Sequence, residues 1–217
     1  MCFHRFEWPP LHKVSHMLTT LSSSSVFSIH RQQQGTTLLE VLVTLVILTF
    51  GLLGLAGLQA QILIAELEAF QRAQAVLLMN DMIDRVSANR TNAASYVTTT
   101  PLGTGNAPTV ACNDSTLTTE VMRDKCEWGN SLLGASEKKS GNNVGGLVNG
   151  VGCVELVTAE NAAAGICQPG IYRVTVAWQG SNLTSIPSVS CGTGLYGNER
   201  YRRAISSQVS IGLPSCQ

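Results

Sequence analysis

One carboxylate in this chain stands where carboxylates are costly. Glu40 lies five residues beyond Gly35 and heads the run VLVTLVILTFGLLGLAGL, Val41 to Leu58, eighteen residues without a charge. From Thr36 to Ile64 it is the only ionisable side chain. A carboxylate inside an apolar helix costs about 2.5 to 3.5 kcal/mol on insertion scales, and such groups are usually paired. Nothing near it in the chain can pair with it. If a cut after Gly35 released an amine at Thr36, that amine on a neighbouring subunit would be a cation at the same membrane depth. Glu40 would then act in assembly. Without Gly35 in front of it, snorkelling to the interface would be the better reading.

Cysteines are the next reactive set. Cys2 precedes the apolar run, while Cys112, Cys126, Cys153, Cys167, Cys191 and Cys216 follow it. Six cysteines in an exported region suggest three disulfides rather than free buried thiols. Fifteen connectivities are open; neighbour pairing is favoured here because it closes short local loops. No CxxC pair occurs, so a metal ribbon or a thioredoxin-like centre has no support.

Enzymatic readings fare poorly. All four histidines, His4, His12, His16 and His30, lie before the apolar run, so the remainder offers no Ser-His-Asp or Cys-His catalysis and no His-ligated zinc. Asp124 with Glu127, or Glu155 with Glu160, are carboxylate pairs best read as solvated surface. There is no Walker loop and no GxGxxG. No catalytic residue, metal site or cofactor is assigned. Arg200, Arg202 and Arg203 beside Tyr196 and Tyr201 form a small basic and aromatic cluster. Beyond residue 35, however, the chain holds 11 basic against 13 acidic residues, which makes no phosphate-binding surface by itself. The cluster reads as a solvated strand edge, and no nucleic-acid partner is expected.

These groups need elements to carry them. Charged residues are only 13% of the 217-residue chain, and their absence from one stretch marks it as a membrane span, since a helix of this length covers a hydrocarbon core of about 30 Å. Arg5, Lys13 and Arg31 against Glu7 favour keeping residues 1–35 in the cytoplasm and the rest outside. Residues 1–34 are polar and Ser-rich and read as a leader or an over-long start, with Met17 as an alternative initiator. No Pro interrupts Thr36 to Asn89, so the helix is expected to continue far past the bilayer for roughly 80 Å, its outer half packing through Ile62, Ala69, Phe70, Ala73, Val76 and Leu77. Gly51, Gly54 and Gly57 are either tolerated glycines of a membrane helix or a softer segment that stretches when subunits pack. Thr91 to Thr109 reads as the helix end and a loop, and GASEKKSGNNVGGLVNG as a second polar, flexible stretch. Val151 to Val157, Ile171 to Trp178 and Ala204 to Ile211 read as strands. In the second, Tyr172, Val174, Val176 and Trp178 share one face, with Arg173 and Thr175 on the other. The expected architecture is α+β, an antiparallel sheet packed on the outer half of the long helix. Its divisions are residues 1–35 leader, 36–64 transmembrane, 65–90 outer helix and 91–217 disulfide-containing globular domain.

GTTLLEVLVTLVILTFGLLGLAGLQ resembles the class III leader and N-terminal helix of type IV prepilins. GLLGLAGLQAQ, AFQRAQAVLLMNDMIDRVSANR, YRVTVAWQG and YRRAISSQVSI resemble the type IV pilus modification protein PilV family of minor pilins, leaving about residues 100–150 unassigned. The resemblance implies a pilin-like fold and a non-enzymatic subunit. It implies cleavage after Gly35 by a prepilin peptidase, N-methylation of Thr36 and an assembly role for Glu40. The implied partners are other major and minor pilins, met through the N-terminal helix, and inner-membrane lipid before assembly; the subunit would end in a pilus or at the cell surface, with adhesion as a further role. Thr36 stands where the family usually has Phe, and the 35-residue leader is longer than is common. The rival readings are a type II secretion minor pseudopilin, which shares leader and helix, and a membrane-anchored periplasmic enzyme or binding protein. The latter would need a signal peptide cut near Ala60, where bulky Leu58 occupies a position that wants a small residue.

Overall fold

The structure is a computed structural model describing residues 37–135, 137–163 and 166–212. It divides into two compact units, one ending at Thr49 and one beginning at Phe50. The boundary falls within a single helix, α1, Leu38–Ala88.

In the first unit the described residues are the start of α1, and all are exposed. The polar groups of this apolar stretch are satisfied locally. The Thr44 and Thr49 hydroxyls donate to the carbonyls of Val41 and Val46 at 2.9 and 2.7 Å, the usual way for a helical threonine to hide its hydroxyl.

In the second unit α1 leads, through a 3-10 segment at Arg90–Tyr96, to a two-residue strand β1, Leu102–Gly103. There follow a second helix α2, Glu120–Leu132, a small hairpin of β2, Lys138–Lys139, and β3, Asn142–Asn143, and three long strands: β4, Val151–Thr158, β5, Gly170–Gln179, and β6, Arg202–Ile211. The main sheet runs β1-β4-β5-β6, antiparallel throughout. The α+β expectation, a long N-terminal helix against a C-terminal antiparallel sheet, is what the structure has.

The alternation in β5 works as its sequence suggests. Tyr172, Val174, Val176 and Trp178 enter the core shared with α1 and α2, each buried large side chain contributing about 1.5 to 3 kcal/mol. The opposite face is covered too. Thr175 is fully buried, and Ala177 joins Val151, Cys153, Cys191 and Tyr196 in a second apolar cluster under the connection from β5 to β6.

Three local expectations are corrected. First, the face of α1 that packs on the domain is Ala75, Met79, Met82 and Val86, with Leu78 and Ile83 beside them. The residues expected there point away: Phe70 is 60% and Leu77 70% exposed. Polar side chains such as Glu66, Glu68, Gln71, Arg72 and Gln74 fall on every side of this half of the helix, so periodicity alone does not choose a face. Second, α2 occupies a stretch without an expected element. The Thr119 hydroxyl accepts the Met122 N–H at 3.2 Å as its N-cap, and Val121, Cys126, Trp128 and Leu132 form its buried side. The Trp128 ring lies where a Cβ on Gly152 would stand, so only glycine fits at that point of β4. Third, the polar stretch near residue 140 is a hairpin. Ser140 and Gly141 both have positive φ, 52° and 83°, the two-residue turn that matches strand twist.

Candidate functional site

The head of α1 gathers the described part of the predicted processing and assembly site. Thr37 caps the helix: its carbonyl accepts the Glu40 N–H at 2.9 Å and the Val41 N–H at 3.3 Å, and its hydroxyl accepts Glu40 N–H at 3.3 Å. Glu40 therefore occupies the third helical position, an acid in the first turn. There the unpaired N–H groups and the helix dipole favour a negative charge by about 0.3 to 1 kcal/mol. Thr37-Leu38-Leu39-Glu40 has the T-x-x-E form of a capping box, a signal in the sequence that explains part of how this carboxylate is tolerated before any partner is invoked. Gly35 and Thr36 lie outside the described residues.

From Leu38 to Leu67 every residue of α1 is exposed, and the helix holds an 18-residue window of mean hydropathy 2.5, long and apolar enough to cross a membrane. Exposed leucines on a water-soluble surface are ordinary singly but not in a run of this length.

Polar clamps hold α1 to the rest of the second unit. Arg85 donates to Asp81 on its own helix at 3.1 Å and to Asp124 and Glu127 of α2, each at 2.8 Å. Burial alone would lower the Arg85 pKa, but the hydrogen bonds to Glu127, Asp124 and Asp81 outweigh it and raise it. Tyr96 donates its hydroxyl to Asp124; burial first, then that bond, pushes its pKa up. The Trp128 indole N–H donates to the Leu78 carbonyl at 2.8 Å. The carboxylate pair Asp124 and Glu127 is thus an anchor for one arginine. Glu155 is engaged by Arg173 at 3.4 Å and by the Ser190 hydroxyl at 2.9 Å.

The arginine cluster is not a solvated edge. Arg202 is 3% exposed, donating to Glu199 at 2.6 Å and to the carbonyls of Pro187, Val189 and Cys191. Arg203 reaches Glu68 on α1 at 3.2 Å and the Asn182 carbonyl at 2.7 Å. Arg200 donates to the Thr184 carbonyl at 3.3 Å. Their guanidinium groups organise the 181–198 connection, which has no regular strand or helix to satisfy its own carbonyls.

Two disulfides are placed among described residues. Cys112 bonds Cys126, tying the loop before α2 to that helix, as neighbour pairing expects. Cys153 bonds Cys191, 38 residues away, passing over Cys167. Neighbour pairing fails there because Cys153 lies on the face of β4 that the 187–191 segment crosses, in one cluster with Cys191. Cys167 is also disulfide-bonded, and Cys216 lies outside the described residues.

Two family models match adjoining stretches of the chain. Residues 30–56 match the prokaryotic N-terminal methylation motif, and residues 57–126 match the family described as type IV pilin Tt1218. No curated protein and no solved structure matches the chain. A methylation motif running into a long apolar helix suggests membrane anchoring and a place in a pilus, and a prepilin motif implies processing by a prepilin peptidase and assembly with pilins. A match to a pilin family model points to a structural protein. Taken with the helix-on-sheet fold, the two matches support a type IV pilin subunit.

Proposed function

We propose that this chain is a minor pilin, made as a precursor, cut after Gly35 by a prepilin peptidase, methylated on Thr36, and either incorporated into a type IV pilus or used to prime its assembly. Residues 36–64 cross the inner membrane once and residues 91–217 stand in the periplasm. In the assembled state α1 packs against the helices of other major and minor pilins, and Glu40 accepts the amine of a neighbouring subunit. The observation that carries this reading is the acid at the third position of a helix whose first thirty residues are all exposed and mostly apolar, in a chain that also carries a small disulfide-bonded sheet domain. A helix of that kind is built to be buried in two successive environments, lipid and then other helices. The minor rather than major role rests on the resemblance of residues 51–61, 69–90, 172–180 and 201–211 to the PilV family. N-terminal sequencing and intact mass of the protein recovered from membranes test it: a methylated Thr36 at the start is expected. A start after Ala60, or an uncut chain, overturns the proposal.

A further inference from the structure

Counting from the N-terminal end, Glu68 is the first residue of α1 that the rest of the chain covers; every described residue before it is exposed. The cover is the connection from β5 to β6. The Ser181 N–H donates to the Glu68 carboxylate at 3.1 Å, and Arg203 holds that carboxylate and the Asn182 carbonyl together. This part of the domain therefore begins one helical turn, about 6 Å of axial rise, beyond Ile64, the end of the proposed span. The same connection carries exposed apolar side chains, Leu183 at 46% and Ile186 at 59%. Arg200, exposed, is held beside Thr184, and Arg72, also exposed, stands one turn of α1 beyond Glu68. Among the described residues, the acids next in sequence to Glu68 and Arg200 are Glu66, which is exposed, and Glu199, which is engaged by Arg202, while Glu68 itself is engaged by Arg203.

We infer that the 181–187 segment is a membrane-seating rim: Leu183 and Ile186 dip into the headgroup boundary of the bilayer that α1 crosses, with Arg72 and Arg200 on lipid phosphates. The inference rests on the proposed span of residues 36–64. Lipid is the occupant because the surface is continuous with that span. An apolar side chain one turn past the hydrocarbon edge has the acyl boundary as its nearest apolar phase, and interfacial segments bury their apolar side about 5 to 10 Å into that boundary. Arginines at this depth keep their guanidinium groups in the headgroup layer while their stems lie along apolar surface. The rim fixes how far the domain stands off the membrane and which way it is turned before a filament takes the subunit up.

The full chain in vesicles of phosphatidylethanolamine and phosphatidylglycerol, brominated either near the headgroup or at the chain ends, tests this by tryptophan quenching above that of the parent chain. Leu183→Trp and Ile186→Trp probe the rim, and Leu52→Trp probes the span. Leu156→Trp is the control: it is 45% exposed, much like Leu183, but lies at the far end of β4 from the strand ends that hold the rim. Both rim variants should be quenched about twofold more than Leu156→Trp by the shallow bromines, as an interfacial segment requires. Rim quenching no greater than the control, with Leu52→Trp quenched by the deep bromines, overturns the rim and leaves the span standing. Loss of deep quenching at Leu52→Trp overturns the span and the rim with it.

Discussion

Removing the carboxylate of Glu40 separates insertion from assembly. Glu40→Ala eases transfer into lipid by roughly the 2.5 kcal/mol or more that an acid costs at depth, so membrane insertion should be intact. Incorporation into filaments should fall, read as the ratio of this subunit in sheared pili to that in membranes; a normal ratio removes the assembly role. The position of Glu40 is legible from its offset to Gly35 and the absence of other charges. Its place as third residue of a capped helix is legible as well, through Thr37 three residues before it. Arg85 is different, because nothing in the sequence says which acids it meets. Asp81 follows from the four-residue helical spacing, whereas Asp124 and Glu127 come from α2, 39 and 42 residues away. Arg85→Ala leaves Asp124, 16% exposed on its side chain, without its cation and should cost about 2 kcal/mol. Denaturant midpoints would show it, and a shift no larger than for an exposed control such as Arg90→Ala would mean the clamp adds nothing.

At the scale of elements, period decides what can be read. Ile171 to Trp178 alternates because one side of β5 meets α1 and α2, and the strand was recoverable to within a residue at each end. The packing face of α1 was not, since apolar and polar side chains are mixed around its outer half and leave no single stripe; Ala75, Met79, Met82 and Val86 are the ones that enter the core. Helix α2 carries charges and a glycine among few apolar residues, and what announces it is the Thr119 cap. Gly51, Gly54 and Gly57 belong to the same question of what a helix needs. A Cβ on any of them would meet no atom within 4 Å, so packing within the chain does not demand glycine. Replacing all three by alanine should stabilise the helix by about 2 to 3 kcal/mol in sum and slow amide exchange over the segment in vesicles. If filament incorporation then stays normal, the softness of the segment has no part in assembly.

At the scale of the molecule, the described start of α1 is exposed and apolar, and the second unit is held by two kinds of fastening, core and covalent. By loop length, the Cys112–Cys126 and Cys153–Cys191 bonds should contribute about 3 and about 4 kcal/mol through the unfolded chain. Melting in reductant should therefore be lower by several degrees, and an unchanged melt would mean that the bonds do not limit unfolding. The presence of bonds was legible from the six cysteines beyond the span. Their pairing was not, because it depends on which face of β4 the 187–191 segment crosses, and that is a property of the finished sheet.

The same crossing bears on how the domain matures. In a domain that crosses the membrane in sequence order behind an N-terminal segment held in the cytoplasm, Cys153 reaches the oxidising compartment well before Cys191, and Cys167 arrives between them. An oxidant acting on thiols in order of arrival would close Cys153 onto Cys167, and β6, which supplies Arg202 to hold the 187–191 segment, would not yet have arrived to prevent it. Correct pairing is then a repair reaction, thiolate attack on a bond already made, and the subunit should depend on a disulfide isomerase rather than on an oxidase alone. Peptide mapping of protein from isomerase-deficient cells should find the 153–167 bond accumulating; native pairing at the normal yield would show that the thiols wait for the sheet.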